Sequence, residues 1–206
     1  MPIGCLFFLH KKRDICHIWY DSNYQVKKEE IAVPIIFLDV DGILTYMSYH
    51  NKETCDINPE KVSLLKKLCD STNASVVIIS SWRGGKDWTP KMYFVLREIL
   101  HEAGIPVLGD APYIPPKLTG PEKNTVTLEE LEQCHLVFGT GRAAEVQAYL
   151  QEHPTDSFVI LDDEDHDWAA YGYKKHWVRP SWFGEALTEE DVRKALQILQ
   201  AGNTSY

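Results

Sequence analysis

Cysteine is sparse and unpatterned in this sequence: Cys5, Cys16, Cys55, Cys69 and Cys134 are odd in number and contain no Cys-x-x-Cys. That spacing argues against a disulfide framework or a structural zinc site and fits a reducing compartment. No hydrophobic run approaches the ~20 residues that a helix needs to cross a bilayer. The opening "MPIGCLFFLHKKR" places its charges behind a short apolar run, the reverse of a secretory signal. The expected location is therefore the cytoplasm, or the host cytosol for a bacterial effector, and the sequons at Asn73 and Asn203 carry no weight. Basic residues are also in deficit. Against 30 Asp and Glu stand 21 Lys and Arg, a formal charge of −9, which would repel a phosphate backbone. The one basic cluster, "HKKR" at His10–Arg13, reads as a solvated hairpin turn. No repeat, low-complexity tract or Gly-x-Ser-x-Gly elbow occurs, and the eight histidines show no metal-ligand spacing.

What is present is enough apolar residue, 44% of 206, to bury a substantial core. The expectation is one domain over 1–206, with 1–30 as an N-terminal hairpin extension and 31–206 as the catalytic core. Residues 5–10 and 15–20 are apolar and aromatic around "KKRD", the pattern of a β-hairpin. "VPIIFLD" and "SVVIISS" are short, continuously apolar runs of the kind buried in parallel strands, and "IPVLG" and "SFVILDD" extend the series. Between them lie helical patterns. "NPEKVSLLKKLCDST" has Asn58 as N-cap and Pro59 at the first helical position, and "PKMYFVLREILHEAG" ends at Gly104. The proline-rich 109–124 reads as a loop, followed by a helix from Thr127, the segment "HLVFGT" and a helix from Arg142 to Glu152. "LTEEDVRKALQIL" offers Thr188 and Asp191 as a near capping box.

Strands alternating with helices predict an α/β fold, a mostly parallel Rossmann-like sheet with helices on both faces. Such sheets bind ligands at the carboxyl ends of their strands. The polar residues fall there: Asp39 and Asp41 after one strand, Ser80 and Ser81 after a second, Asp162 and Asp163 after a third. Carboxylates clustered in this way make a hard oxygen-donor site for which Mg²⁺ is the natural occupant. One carboxylate can attack phosphorus and the other can move the proton of the leaving oxygen. The Asp-rich run "DDEDHD" is not a calcium loop, since Trp168 and Lys174 occupy the positions where glycine and glutamate are required. "GTG" at Gly139–Gly141 reads as a helix entry.

"FLDVDGIL" resembles the first motif of the haloacid dehalogenase superfamily, a hydrophobic strand followed by Asp-x-Asp-Gly. "VVIISS" looks like its second motif and "FVILDDEDHD" like its fourth; Arg142 matches the basic residue that opens the helix before the fourth. The resemblance spans about residues 34–167. It implies Asp39 as nucleophile, Asp41 as general acid/base, Ser80 (with Ser81 as its understudy) and Arg142 as phosphate-binding groups, and Asp163 with Asp162, Asp39 and Asp41 around Mg²⁺. An Asp at the second position is typical of the family's phosphatases and phosphomutases. Two departures leave alternatives open: Lys123 rivals Arg142 for the third motif, and Asp165 and Asp167 blur the register of the metal ligands.

The spacing leaves no room for a full cap domain, so the expected site is open. An open site suits phosphate displayed on a macromolecule, a phosphorylated protein or peptide being favoured, phosphotyrosine in particular, with an exposed Trp82 or a nearby aromatic as stacking partner. Trp82 and Arg83 either line the site mouth or simply pack. The segments "SSWR" and "GRAAEVQAYL…FVILDD" are similar to haloacid dehalogenase domains linked to RNA repair, which makes a 5′ or 3′ nucleic-acid-end phosphatase the alternative, opposed by the charge. A non-catalytic binding module of the same fold is the third reading.

Overall fold

The structure, a computed structural model, describes residues 33–86, 90–114 and 141–202. The expected hairpin, the helix from Thr127, "HLVFGT" and Lys123 lie outside the described residues. Five parallel strands, β1 (Ile35–Leu38), β2 (Ser75–Ile78), β3 (Val107–Asp110), β4 (Phe158–Leu161) and β5 (Trp177–Val178), form one sheet in the order β3-β2-β1-β4-β5. The helices are α1 (Pro59–Thr72), α2 (Pro90–Glu102), α3 (residues 141–152) and α4 (Glu189–Gly202), with a 3₁₀ helix at Ser81–Lys86.

The continuously apolar strands are explained by burial on both faces. Ile36, Leu38, Val76, Ile78, Val159 and Leu161 pack with α1, α2 and α4, while the intervening Phe37, Val77, Ile79 and Ile160 pack with α3 and Trp168. Local signals behave as their chemistry requires. The Asn58 side chain accepts from the Glu60 amide at 2.8 Å, capping α1. At α4, Thr188 and Asp191 exchange backbone-to-side-chain bonds of 3.1 and 3.3 Å, a capping box closed by Asp. Gly104 turns the chain beyond α2 at φ +67°. Among the described residues no cap domain is inserted: residues 42–58 are turns and short connections, and Ser81–Lys86, Pro90–Glu102 and Val107–Asp110 are core elements.

The register positions the site. Leu38 pairs with Ile78 on one side and Leu161 on the other, so the residues just beyond these three strand ends stand side by side. The Asp39 amide donates to the Leu161 carbonyl and the Ile79 amide to that of Leu38, both at 2.9 Å.

Candidate active site

Asp39 leaves the central strand with a carboxylate that is almost wholly enclosed, 4% exposed. Its Oδ1 accepts from the Val40 amide at 2.8 Å and its Oδ2 from Arg142 Nη1, also at 2.8 Å. The same nitrogen lies 2.8 Å from Asp162 Oδ2, so one guanidinium joins the acids at the ends of β1 and β4. Asp162 has partners on both oxygens. Its Oδ1 accepts from the Glu164 amide at 2.9 Å and lies 3.5 Å from His166 Nε2.

Asp163, half-buried, closes the group. Carboxylate atoms of Asp39, Asp162 and Asp163 all lie within 4.8 Å of one another. The approach depends on Gly42, which has φ +73° and sits so close that a Cβ there would fall 2.3 Å from Asp163 Cγ. Only glycine fits both the left-handed backbone and the space.

The electrostatics follow from this crowding. Burial pushes the Asp39 carboxyl up to about 7; Arg142 pulls it down, while Asp162 and Asp41 add to the rise. Burial, with the charges of Asp162, Glu164 and Asp41, lifts Asp163 to about 6. Burial also opposes charge on Asp162, but Arg142 and His166 outweigh it and hold that carboxyl below the usual range. Arg142 is desolvated as well, yet Asp39 and Asp162 together raise its pKa above the ordinary guanidinium value. The cluster thus retains negative charge that one arginine does not cancel. Three hard oxygen donors within reach of one another fit a Mg²⁺ ion, which would relieve that repulsion.

The other expected residues are placed as follows. The Asp41 carboxylate lies outside the three-acid cluster, accepting from Thr45 Oγ1 at 3.1 Å and from the Trp82 indole N–H at 2.9 Å. Ser80 is completely buried beyond β2, its Oγ accepting from the Trp82 amide at 3.3 Å, whereas Ser81 is exposed at the start of the 3₁₀ helix. Trp82, 7% exposed, is not the surface stacking platform that the open-site expectation needs. Its ring packs in the core, and a buried indole N–H seeks an acceptor.

A model of the HAD domain in Swiss Army Knife RNA repair proteins matches residues 35–192, from the start of β1 into α4. The chain belongs to this family. It is a haloacid dehalogenase-type domain, and the matched span contains every described residue of the site. No curated protein and no solved structure gives a significant match.

Within this HAD domain, Arg83 takes the packing one of its two expected roles, while Glu145 and Arg179, not expected at the site, bear on it. Arg83 is buried, donates to the Ile78 carbonyl at 3.2 Å and the Ala111 carbonyl at 3.3 Å, and pairs with buried Glu145 of α3. Glu145 in turn accepts from the Ile114 amide at 3.0 Å. The pair ties the segment after β2 to the helix that carries Arg142. A signal existed, since Glu145 follows Arg142 by three residues on a helix and so shares its side. Arg179 had none: its Nε donates to the Asp163 carbonyl at 2.8 Å and its guanidinium lies over Trp177.

Proposed function

We propose that this domain is a Mg²⁺-dependent phosphatase that removes a terminal phosphate from a nucleic-acid end, with Asp39 as nucleophile. The observation that carries the catalytic part is the Asp39 carboxylate at the end of the central strand, braced by Arg142 and flanked by Asp162 and Asp163. An Asp39 oxygen attacks phosphorus, and the bond to the ester oxygen breaks as that oxygen takes a proton from Asp41. Water then attacks the aspartyl phosphate, its proton passes to Asp41, and the bond from phosphorus to Asp39 breaks to return the carboxylate. Arg142 offers positive charge to the phosphoryl oxygens. Asp39 and Asp163 would hold Mg²⁺, with Asp162 engaged mainly as the brace of Arg142. The ion, when bound, neutralises phosphoryl charge and orients the ester. Ser80 supports the loop through the Trp82 amide, and Ser81, exposed beside it, is the hydroxyl nearer solvent.

For the substrate, the RNA-repair character of the family supports nucleic acid over phosphoprotein. Two local features agree. Arg179 stands beside Asp163 as a cation at the acidic site, and Phe183, in the same loop, is 81% exposed and offers a face to a base. With Trp82 buried, the phosphotyrosine reading loses the stacking partner it named first. The net charge of −9 still opposes long-range attraction, so binding should rely on short contacts at the end of the strand.

The test compares 5′- and 3′-phosphorylated oligonucleotides with phosphotyrosyl and phosphoseryl peptides at one ionic strength, with Mg²⁺ and with EDTA. Oligonucleotides should have the highest kcat/KM, and EDTA should abolish turnover. Preference for peptides would move the substrate to phosphoprotein. No Mg²⁺-dependent turnover of any ester, an aryl phosphate included, would leave a non-catalytic binding module.

A further inference from the structure

The Asp41 carboxylate is held from two sides by groups from different parts of the chain. Thr45, buried at the end of the same loop, donates to Oδ1, and its amide is anchored on the Val40 carbonyl at 3.2 Å. Trp82, from the segment after β2, donates to Oδ2. The indole cannot swing away. Its ring is packed in the core, its amide is fixed on Ser80 Oγ, and the next residue, Arg83, is locked to two carbonyls and Glu145.

We infer that Trp82, with Thr45, is a positioning residue for the proton transfer made by Asp41. This rests on the phosphatase reading above. Two donors on opposite oxygens fix the plane of the carboxylate, leaving one acceptor direction on each oxygen for the proton that moves. The identity of the donors matters. An indole N–H only donates and carries no charge, so it neither exchanges protons with Asp41 nor pins it as an ion pair, as lysine or arginine would. Ser80 enters the same chain, since its hydroxyl sets the Trp82 backbone. The second motif would therefore act on the acid/base group through Trp82 as well as on phosphate.

A role in proton transfer has a consequence that mere packing lacks. An aryl phosphate releases a stabilised phenolate and needs little help from an acid, whereas an alkyl phosphate, such as a nucleic-acid end, releases an alkoxide that must be protonated. Trp82→Phe deletes the N–H and keeps an aromatic, though smaller, side chain in the core. It should slow both substrates, the alkyl phosphate at least about tenfold more than the aryl one, the factor expected for losing one buried hydrogen bond of ~1.4 kcal/mol. Thr45→Val, close to isosteric, should shift the same ratio in the same direction. Equal slowing of both substrates in both variants would overturn the inference while leaving the phosphatase reading intact. Wild-type protein that hydrolyses neither ester would instead remove the reading itself. The contact is checked without turnover by the Trp82 indole N–H resonance, whose chemical shift and protection from exchange should change in Asp41→Ala. An unaffected indole would overturn the clamp independently, whether or not any variant is active.

Discussion

Arg142 Nη1 lies 2.8 Å from Asp39 Oδ2 and at the same distance from Asp162 Oδ2. One nitrogen therefore holds two enclosed carboxylates that belong to neighbouring strands. Removing it unbraces both carboxylates and, under the proposed mechanism, also takes away the charge offered to the phosphoryl group. Arg142→Ala should lower kcat by roughly 10²–10³-fold, as for loss of one preorganised donor. Arg142→Lys should fall between, because an ammonium restores charge without the planar fork. Steady-state kinetics on an aryl phosphate decide this, and an effect of Lys123→Ala larger than that of Arg142→Ala would transfer the role.

Removing the negative charge of Asp39 should separate catalysis from stability. Asp39→Asn should abolish turnover and the beryllofluoride adduct while leaving the fold intact. Because it also removes one member of a repelling cluster, the metal-free variant should melt at or above the wild type. Mg²⁺ should raise the wild-type Tm, since a ligand bound to the folded state alone stabilises it, and should raise that of Asp39→Asn far less. Differential scanning fluorimetry across a Mg²⁺ titration reads both effects; a wild-type Tm indifferent to Mg²⁺ would count against the site.

The legible parts of the fold were those specified by local chemistry. Asn58 before Pro59, and Thr188 three residues before Asp191, mark helix starts because their side chains satisfy amides of the adjacent turn. β1, β2 and β4 are legible because burial on both faces demands unbroken apolar runs, and the parallel order then brings Asp39, Ser80 and Asp162 to one edge. β5 was not legible. Two residues, Trp177 and Val178, carry no periodicity, and their strand exists only through pairing with Ile160 and Leu161. The Arg83–Glu145 pair spans 62 residues of chain, a distance over which neither residue signals the other. The different environments of Asp162 and Asp163, adjacent and chemically identical, come from what packs around them, Arg142 and His166 for one and Gly42 for the other.

Breaking the Arg83–Glu145 pair should be costly. Arg83→Met leaves a buried carboxylate without its cation and two carbonyls without a donor, which typically costs about 3–5 kcal/mol. Glu145→Gln should cost less, since Arg83 keeps both of its carbonyl acceptors and the amide oxygen still accepts one of the two bonds, although its NH2 then faces either Arg83 or the Ile114 N–H. Urea denaturation provides the comparison, and equal losses in the two variants would contradict the assigned network.

His176 supplies a pH dependence apart from the catalytic acids. Its Nδ1 is hydrogen-bonded to the Phe158 carbonyl at 3.0 Å, and the ring stacks on Phe158 with centroids 3.9 Å apart. Burial lowers its pKa below 6.5, with Lys175 adding to the depression and the Phe158 carbonyl and Asp156 opposing it. Between the folded and unfolded pKa values the unfolded chain binds the extra proton, so stability is full above about 6.5 and declines as pH falls below it. His176→Phe should keep the stack and flatten this decline. Unfolding free energies measured with Mg²⁺ at several pH values, wild type minus variant, isolate the contribution; a difference that grows as pH rises is the expected sign.

Gly42 and Gly172 form a natural comparison. Both have left-handed backbones, φ +73° and φ +77°, but a Cβ at Gly172 meets nothing within 4 Å, whereas one at Gly42 would overlap Asp163. Gly172→Ala should therefore cost only the backbone strain, roughly 1–2 kcal/mol, and leave Mg²⁺ binding alone. Gly42→Ala must also displace the Asp163 carboxylate from its place beside Asp39. It should lose more stability than Gly172→Ala and weaken Mg²⁺ binding, by about tenfold or more, because a ligand carboxylate no longer meets the other donors. A Mg²⁺ titration followed by thermal shift on both variants distinguishes the two costs. If Gly42→Ala matched Gly172→Ala in both stability and Mg²⁺ affinity, the close approach of Asp163 to the loop after β1 would have no part in building the site.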